Sequence, residues 1–195
     1  MVSTDSNRPL PSVPSVESGP RLEPIEKPDS WLMRLAYKFL KWTEGTVITP
    51  VKVIQVRLPE SLRHARETMK LEEKLSLSVE FRLLLKRYVA QLNGCSFCVD
   101  LAEAEAQKDG LDLEILRETP RYETSDRFSD AVRAALAYVE AVTEDVHVDD
   151  DVFDRLREHF SEREIVEITW LCATENYYNR LTAPLRIDSD GLCSV

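Results

Sequence analysis

Apolar residues recur along most of this chain at three- and four-residue intervals, with polar residues filling the gaps, which is the pattern of one-sided helices. The clearest stripe is Phe128, Val132, Ala135, Val139 and Val142, at i, i+4, i+7, i+11 and i+14, and it predicts a long inner helix. Phe81, Leu84, Leu85, Tyr88, Val89 and Leu92 predict another, capped by Ser78 and stopped at Asn93-Gly94. Ser161-Glu162-Arg163-Glu164 has the form of a capping box. It opens a last helix on which Ile165, Ile168, Cys172, Glu175 and Asn179 share a face. That face turns polar as it proceeds, which points to a pocket.

Weaker patterns fill the intervals. Residues 60 to 73 predict a charged helix with Leu62, Ala65, Met69 and Glu72 aligned, and residues 98 to 109 predict a helix ended by Asp109-Gly110. Leu111 to Leu116 is a short helical piece closed by Pro120, and Asp149 to Phe160 is a helix with acids at its start, where the dipole favours them. Trp31, Leu32, Leu35, Ala36, Phe39 and Leu40 form a helical face after Ser30, a plausible N-cap, with Arg34, Lys38 and Lys41 interleaved. So few charges on so short a segment favour docking on the protein's own core over a membrane surface. Val51 to Ile54, between Pro50 and Pro59, reads as a connector or helical turn rather than a strand. No useful run alternates with strand period. The expected architecture is all-α, with a helix pair over 78–109 packed against helices at 125–142 and 161–183.

Composition alters this picture at one end. Residues 1–29 carry six prolines and five serines, too little apolar surface to offset the cost of ordering. They are expected to be a disordered arm, with an extended strap over a neighbouring subunit as the alternative. Residues 30–195 then form a single helical domain. A length of 195 residues with 43% hydrophobic content suits one soluble domain with a real core. The formal net charge of -10 argues against a nucleic-acid partner. No apolar run is long enough to span a membrane. The N-terminal residues lack the basic start and apolar core of a secretory signal, so a cytoplasmic location is expected.

Candidate chemistry centres on Asn93-Gly94-Cys95-Ser96-Phe97-Cys98, which places two thiols where a helix begins. Unsatisfied N–H groups and the helix dipole there favour thiolate over thiol. Three readings stay open. Cys95 and Cys98 could be a reversible dithiol, half of a zinc site, or buried packing residues. Zinc would need two more ligands, and His64, His147 and His159 are scattered. Four cysteines are too few and too unevenly placed for a disulfide scaffold.

The run Val89-Ala90-Gln91-Leu92-Asn93-Gly94-Cys95-Ser96-Phe97-Cys98 resembles the signature of the carboxymuconolactone decarboxylase and alkylhydroperoxidase AhpD-like family. The resemblance extends from Val51-Lys52-Val53-Ile54 to Glu175-Asn176-Tyr177-Tyr178-Asn179-Arg180 and Asp190-Gly191-Leu192-Cys193. It implies an AhpD-like helical bundle that assembles as a homo-oligomer, with Cys98 the attacking thiol and Cys95 the resolving one. It implies a peroxide or small organic substrate and a protein thiol as reductant, with no cofactor and no metal.

The chain departs from that family's pattern at both proton-relay positions. Ala102 stands where the family has a His four residues after the second cysteine, and Leu83 where it has a Glu twelve residues before the first. Other groups would have to move protons. Glu105, seven residues beyond Cys98, Glu80 near its helix start, and Glu175, Asn176 and Asn179 on the last helix are the candidates, each weighed against a solvated or capping role. Cys193, in the tail, could reach the pair, whereas Cys172 reads as core. Trp170, Tyr177 and Tyr178 read as packing or interface aromatics. Three functions follow: a peroxidase or disulfide oxidoreductase, a non-catalytic small-molecule binder, and a decarboxylase-like enzyme using Arg87 and Arg180 to hold an anion.

Overall fold

A computed structural model describes residues 19–193, and no strand forms among them. Eight α-helices follow in order: α1 (Trp31–Glu44), α2 (Glu60–Glu72), α3 (Val79–Leu92), α4 (Ser96–Lys108), α5 (Leu113–Glu118), α6 (Asp130–Asp145), α7 (Asp150–Arg157) and α8 (Glu162–Thr182). The segment between Pro50 and Pro59 is a π-helical turn, Val51–Gln55. Short 3-10 turns continue α5 and α8, at Thr119–Arg121 and Ala183–Leu185.

Capping fixes the principal helix starts. Ser78 and Ser129 each accept an N–H from three residues on, Phe81 and Val132. Ser161 and Glu164 form the reciprocal capping box expected of them. Ser30 occupies the N-cap of α1 without a side-chain bond.

α3 is the central helix, packed against α4, α6 and α8. Its Leu84, Leu85, Tyr88 and Val89 meet Ala135, Leu136 and Val139 of α6 and Ile165, Ile168, Leu171 and Cys172 of α8 in the main core. The inner faces of α3, α6 and α8 are thus the ones their periodicity predicts. α1 differs. Met33 and Tyr37 are its buried residues, packed with Val47 and Val51, while Trp31, Leu32, Leu35 and Phe39 face outward. The Tyr37 hydroxyl, which donates to the Ile25 carbonyl at 2.8 Å, helps set that rotation.

Of the Pro/Ser-rich arm, residues 1–18 lie outside the described residues. Residues 19–29, without helix or strand, lie against the domain: Arg21 N–H donates to the Leu185 carbonyl at 2.8 Å, and Ile25 N–H to the Lys52 carbonyl at 3.0 Å. No helix of the described residues is long and apolar enough to cross a membrane.

Candidate functional site

The Asn93-Gly94 stop delivers the cysteines. Gly94 adopts a φ of 65°, open to a residue without Cβ. This lets Gly94 N–H reach the Gln91 carbonyl at 3.0 Å and Cys95 N–H the Ala90 carbonyl at 2.9 Å, the pattern of a Schellman ending. The chain reverses at once into α4, with Cys95 as its N-cap and Cys98 in its first turn. The two sulfurs are joined as a disulfide. Cys98 N–H points at the Cys95 sulfur from 3.3 Å, so a cysteine occupies the place a Ser or Asp usually takes.

A hydroxyl from α8 completes the immediate surroundings. Thr182 Oγ1 lies 3.1 Å from the Cys95 sulfur and 3.5 Å from that of Cys98, and also contacts the carbonyls of Tyr178 and Asn179. Otherwise the pair sits in hydrocarbon with Val53, Ala90, Phe97 and Ile187, backed by Ile48, Ile54, Leu185 and Leu192. Cys95 is 1% exposed and Cys98 6%, so both residues are buried and the second is the less enclosed.

The chain's last described residues close over this cluster. Asp100, one turn into α4, accepts Leu192 N–H at 2.9 Å, Cys193 N–H at 2.8 Å and the Ser189 hydroxyl at 2.8 Å. Burial raises the pKa of this carboxyl, but those donors outweigh it and hold Asp100 below its ordinary value. Ser96 donates to Asp188, and the Asp190 carboxylate accepts from the backbone and hydroxyl of Thr49. Cys193 therefore lies at the tail's anchor on α4. Its thiol pKa is raised, by partial burial and by the nearby Glu103 and Asp100 carboxylates.

The polar candidates on α8 converge on a second centre rather than on the sulfurs. Asn179 Nδ2 donates to Glu175 Oε1 at 2.7 Å, and Asn93 Nδ2 donates to the side-chain oxygens of Asn179 and Asn176 at 2.9 and 3.0 Å. Glu175 is fully enclosed, and burial pushes its pKa up to about 7, against the pull of Lys86 and of its Asn179 hydrogen bond. Lys86 of α3 bonds Glu72 of α2 at 3.1 Å. Burial opposes the Lys86 charge, but Glu175, Glu72 and Glu105 prevail and push its pKa up to about 12. Glu105 also sits high, from burial first, then from Glu72 and Asp109, with Lys86 opposing. Glu105 and Glu175 thus belong to one cluster, and Asn179 with Asn93 links it to the residue two before Cys95.

The remaining candidates are placed elsewhere. Leu83 packs with Ala106 and Leu116, and Ala102 is buried, so both relay positions are hydrocarbon. Arg87 is engaged by Glu103 at 3.1 Å and by Gln91, while Arg180 bonds Asn176. Glu80 lies instead at a cavity of about 400 Å³ lined with Phe81, Phe128 and Phe160. Cys172 is enclosed by Thr143, Asn176 and the Val139 carbonyl, and burial raises its pKa. Among the described residues no three His, Cys, Asp or Glu side chains are grouped to hold a metal.

Periodicity left three of these residues unnamed. Thr182 continues the stripe of Glu175 and Asn179 by one further step, so extending the series would have found it. Lys86 sits between Leu85 and Arg87 on α3, and Asp100 two residues past Cys98. Their roles depend on tertiary contacts with α2, α8 and the tail.

Comparison with known proteins follows the same lines. Residues 59–141 match the model of the Carboxymuconolactone decarboxylase family. The uncharacterised protein YnjA of Escherichia coli is 31% identical over 175 residues, 88% of this chain and 91% of its own length. The structure of ATU0492 from Agrobacterium tumefaciens, a protein of unknown function provisionally assigned to antioxidant defence as AhpD, is 32% identical. It superposes with a TM-score of 0.63 over 67% of this chain and 91% of its own. An uncharacterised peroxidase-related protein with an AhpD core, from Ralstonia eutropha, shares the fold at 18% identity, with a TM-score of 0.74 over 91% of this chain and 96% of its own.

Proposed function

The chain belongs to the carboxymuconolactone decarboxylase/AhpD-like family, and from that premise we propose that it is a thiol-dependent oxidoreductase whose Cys95 and Cys98 cycle between dithiol and disulfide. The observation that carries this reading is the bonded pair itself, built into the first turn of α4 beneath Leu185, Ile187 and Leu192. Helix N–H groups stabilise a sulfur anion there. In the oxidative half, the Cys98 thiolate attacks a peroxide oxygen, the O–O bond breaks, and the departing oxygen takes a proton to leave as alcohol or water. Cys98 becomes a sulfenic acid. Cys95 then attacks the Cys98 sulfur, closing the disulfide and expelling water after protonation. A protein dithiol of the cytoplasm returns two electrons and two protons.

Protons come from solvent in this reading; Glu175 and Glu105, gathered near Lys86, are supporting residues that act through position, with Asn176 and Asn179 fixing the spacing between their cluster and the sulfurs. Cys193 serves as part of the tail anchor. The substrate is a small peroxide, and the working form is a homo-oligomer. A decarboxylase reading is disfavoured by the buried engagement of Arg87 with Glu103, which takes that guanidinium from a substrate carboxylate; Arg180, exposed, bonds Asn176 through one nitrogen.

Thiol counting tests the proposal. Reduced protein treated with one equivalent of tert-butyl hydroperoxide should lose two thiols per chain without crosslinking, both from Cys95 and Cys98. Cys98→Ser should form no intramolecular disulfide. Thiols that persist through peroxide and resist alkylation would favour a non-catalytic binding protein.

A further inference from the structure

The two sulfurs of the pair are not equivalent, and the difference assigns them separate duties during reduction. Cys95 is the N-cap, with Cys98 N–H aimed at its sulfur from 3.3 Å, and Thr182 Oγ1 is nearer to it, 3.1 Å against 3.5 Å. It is also the more deeply enclosed, 1% against 6% exposed. A thiolate released at Cys95 would therefore have two donors within reach, the Cys98 N–H already aimed at it and the Thr182 hydroxyl after rotation. A thiolate at Cys98 shares the helix N-terminus but, among the described residues, has that hydroxyl at the longer distance of 3.5 Å. Charged acceptors gain roughly twice as much from such donors as neutral ones.

We propose that Thr182 is a positioning residue that, with Cys98 N–H, holds Cys95 as the leaving thiolate when the disulfide is reduced, so that an incoming thiol attacks Cys98. This rests on the reading of the pair as a redox couple and adds which sulfur the reductant meets. The step balances. A reductant thiolate attacks the Cys98 sulfur, forming the mixed disulfide, and the Cys95–Cys98 bond breaks with its electron pair leaving on Cys95. A second reductant thiol then displaces Cys98, both reductant sulfurs ending as a disulfide and protons from solvent completing the dithiol.

Thr182 is suited to this because its hydroxyl has one hydrogen and several acceptors. While the pair is oxidised, the hydrogen can rest on the Tyr178 carbonyl at 3.0 Å, one turn back along α8. When negative charge appears on Cys95, rotation about a single bond turns it to the sulfur. No ionisable side chain need enter the hydrocarbon around the pair. That accounts for a dithiol whose relay positions are Ala102 and Leu83.

Glutathione is the probe for the test. Oxidised protein is mixed with it at pH 7, quenched with acid at intervals, alkylated, and mapped by peptide mass. Glutathione should appear on Cys98 before Cys95. Thr182→Val should slow disulfide reduction about tenfold and raise the pKa of the Cys95 thiol, read from its alkylation rate against pH, by about one pH unit. Thr182→Ser should restore both, which a packing role for the threonine methyl would not. Should Thr182→Val fail to fold, the wild-type mapping still decides. Glutathione on Cys95 first, a Val variant reduced as fast as wild type, or no mixed disulfide at either cysteine would overturn the inference. If peroxide still oxidises the reduced pair, the redox reading survives that loss; if it does not, both fall.

Discussion

Glu175 and Thr182 lie two turns apart on one buried face of α8, yet the fold surrounds them in opposite ways. Among the described residues, the close polar partners of the Thr182 hydroxyl are helix carbonyls and two sulfurs, within hydrocarbon. Around Glu175 three acids share one ammonium, and Asn179 supplies a further donor. The sulfur end is governed by oriented dipoles, which respond without titrating. The carboxylate end is governed by charge, and one of its acids titrates near neutrality. Asn93 and Asn179 hold the two at fixed spacing. An amide passes on position readily and protons poorly, so the coupling between the ends is one of geometry.

Breaking the charged end while sparing the other gives the largest expected effect. Lys86→Met takes from Glu72, Glu105 and Glu175 the cation they share, leaving Glu105 only the weaker pull of Lys108, and the uncompensated charge should cost about 4 kcal/mol at pH 8. Protonation relieves it, so urea midpoints of variant and wild type should draw together toward pH 5. In the reduced, folded variant the alkylation rates of Cys95 and Cys98 should stay within about twofold of wild type, because their donors are untouched. A tenfold change would show that the two ends communicate through charge.

Removing one acid should act with the opposite sign and less strongly. Glu175 titrates near 7 in the folded protein against an ordinary value of 4.5. Between those pH values the folded state holds a proton that the unfolded state has released, so stability falls as pH rises through that window and is level above it. Glu175→Gln abolishes the titration and keeps an acceptor for Asn179. The variant should match wild type at pH 4.5 and exceed it at pH 8 by about 3 kcal/mol, measured by urea unfolding. A variant no more stable at pH 8 would mean that the attraction of Lys86 outweighs the burial cost.

The same contrast explains what could be read from the chain. The stripes Phe128 to Val142 and Ile165 to Asn179 set the inner faces of α6 and α8, because burial of an apolar face is a local pattern. Asn93-Gly94-Cys95 revealed the turn and the thiols for a like reason, since caps are written within a few residues. α1 defeated the pattern: it has two apolar faces, and the choice of Met33 and Tyr37 over Trp31 and Phe39 was made by Ile25 and Val51. Glu105 and Glu175 were nameable as acids, but their common partner Lys86 was not, because the cluster joins α2, α3, α4 and α8.

The smallest expected effect concerns the cover over the sulfurs, where the comparison sharpens to a single carboxylate. Asp100 takes two backbone N–H groups and a hydroxyl from the tail, so Asp100→Ala leaves Leu192 and Cys193 to find water instead. The loss should be about 1 kcal/mol, since a tail near the surface is partly rehydrated when it lifts. The Asp100 pKa is depressed in the fold, so its contribution is present above the ordinary value of 3.8 and is lost as pH falls through the folded value. Wild type and variant should converge only in strong acid, unlike the Glu175 pair, which converges near pH 4.5. With Ile187 and Leu192 less firmly seated, the reduced Cys98 should alkylate several-fold faster while Cys172, enclosed by α6 and α8, is unchanged. Hydrogen exchange at the amides of Leu192 and Cys193 reports the cover directly. If those amides exchange no faster in Asp100→Ala, the tail is held by its apolar contacts with the disulfide cluster rather than by the carboxylate.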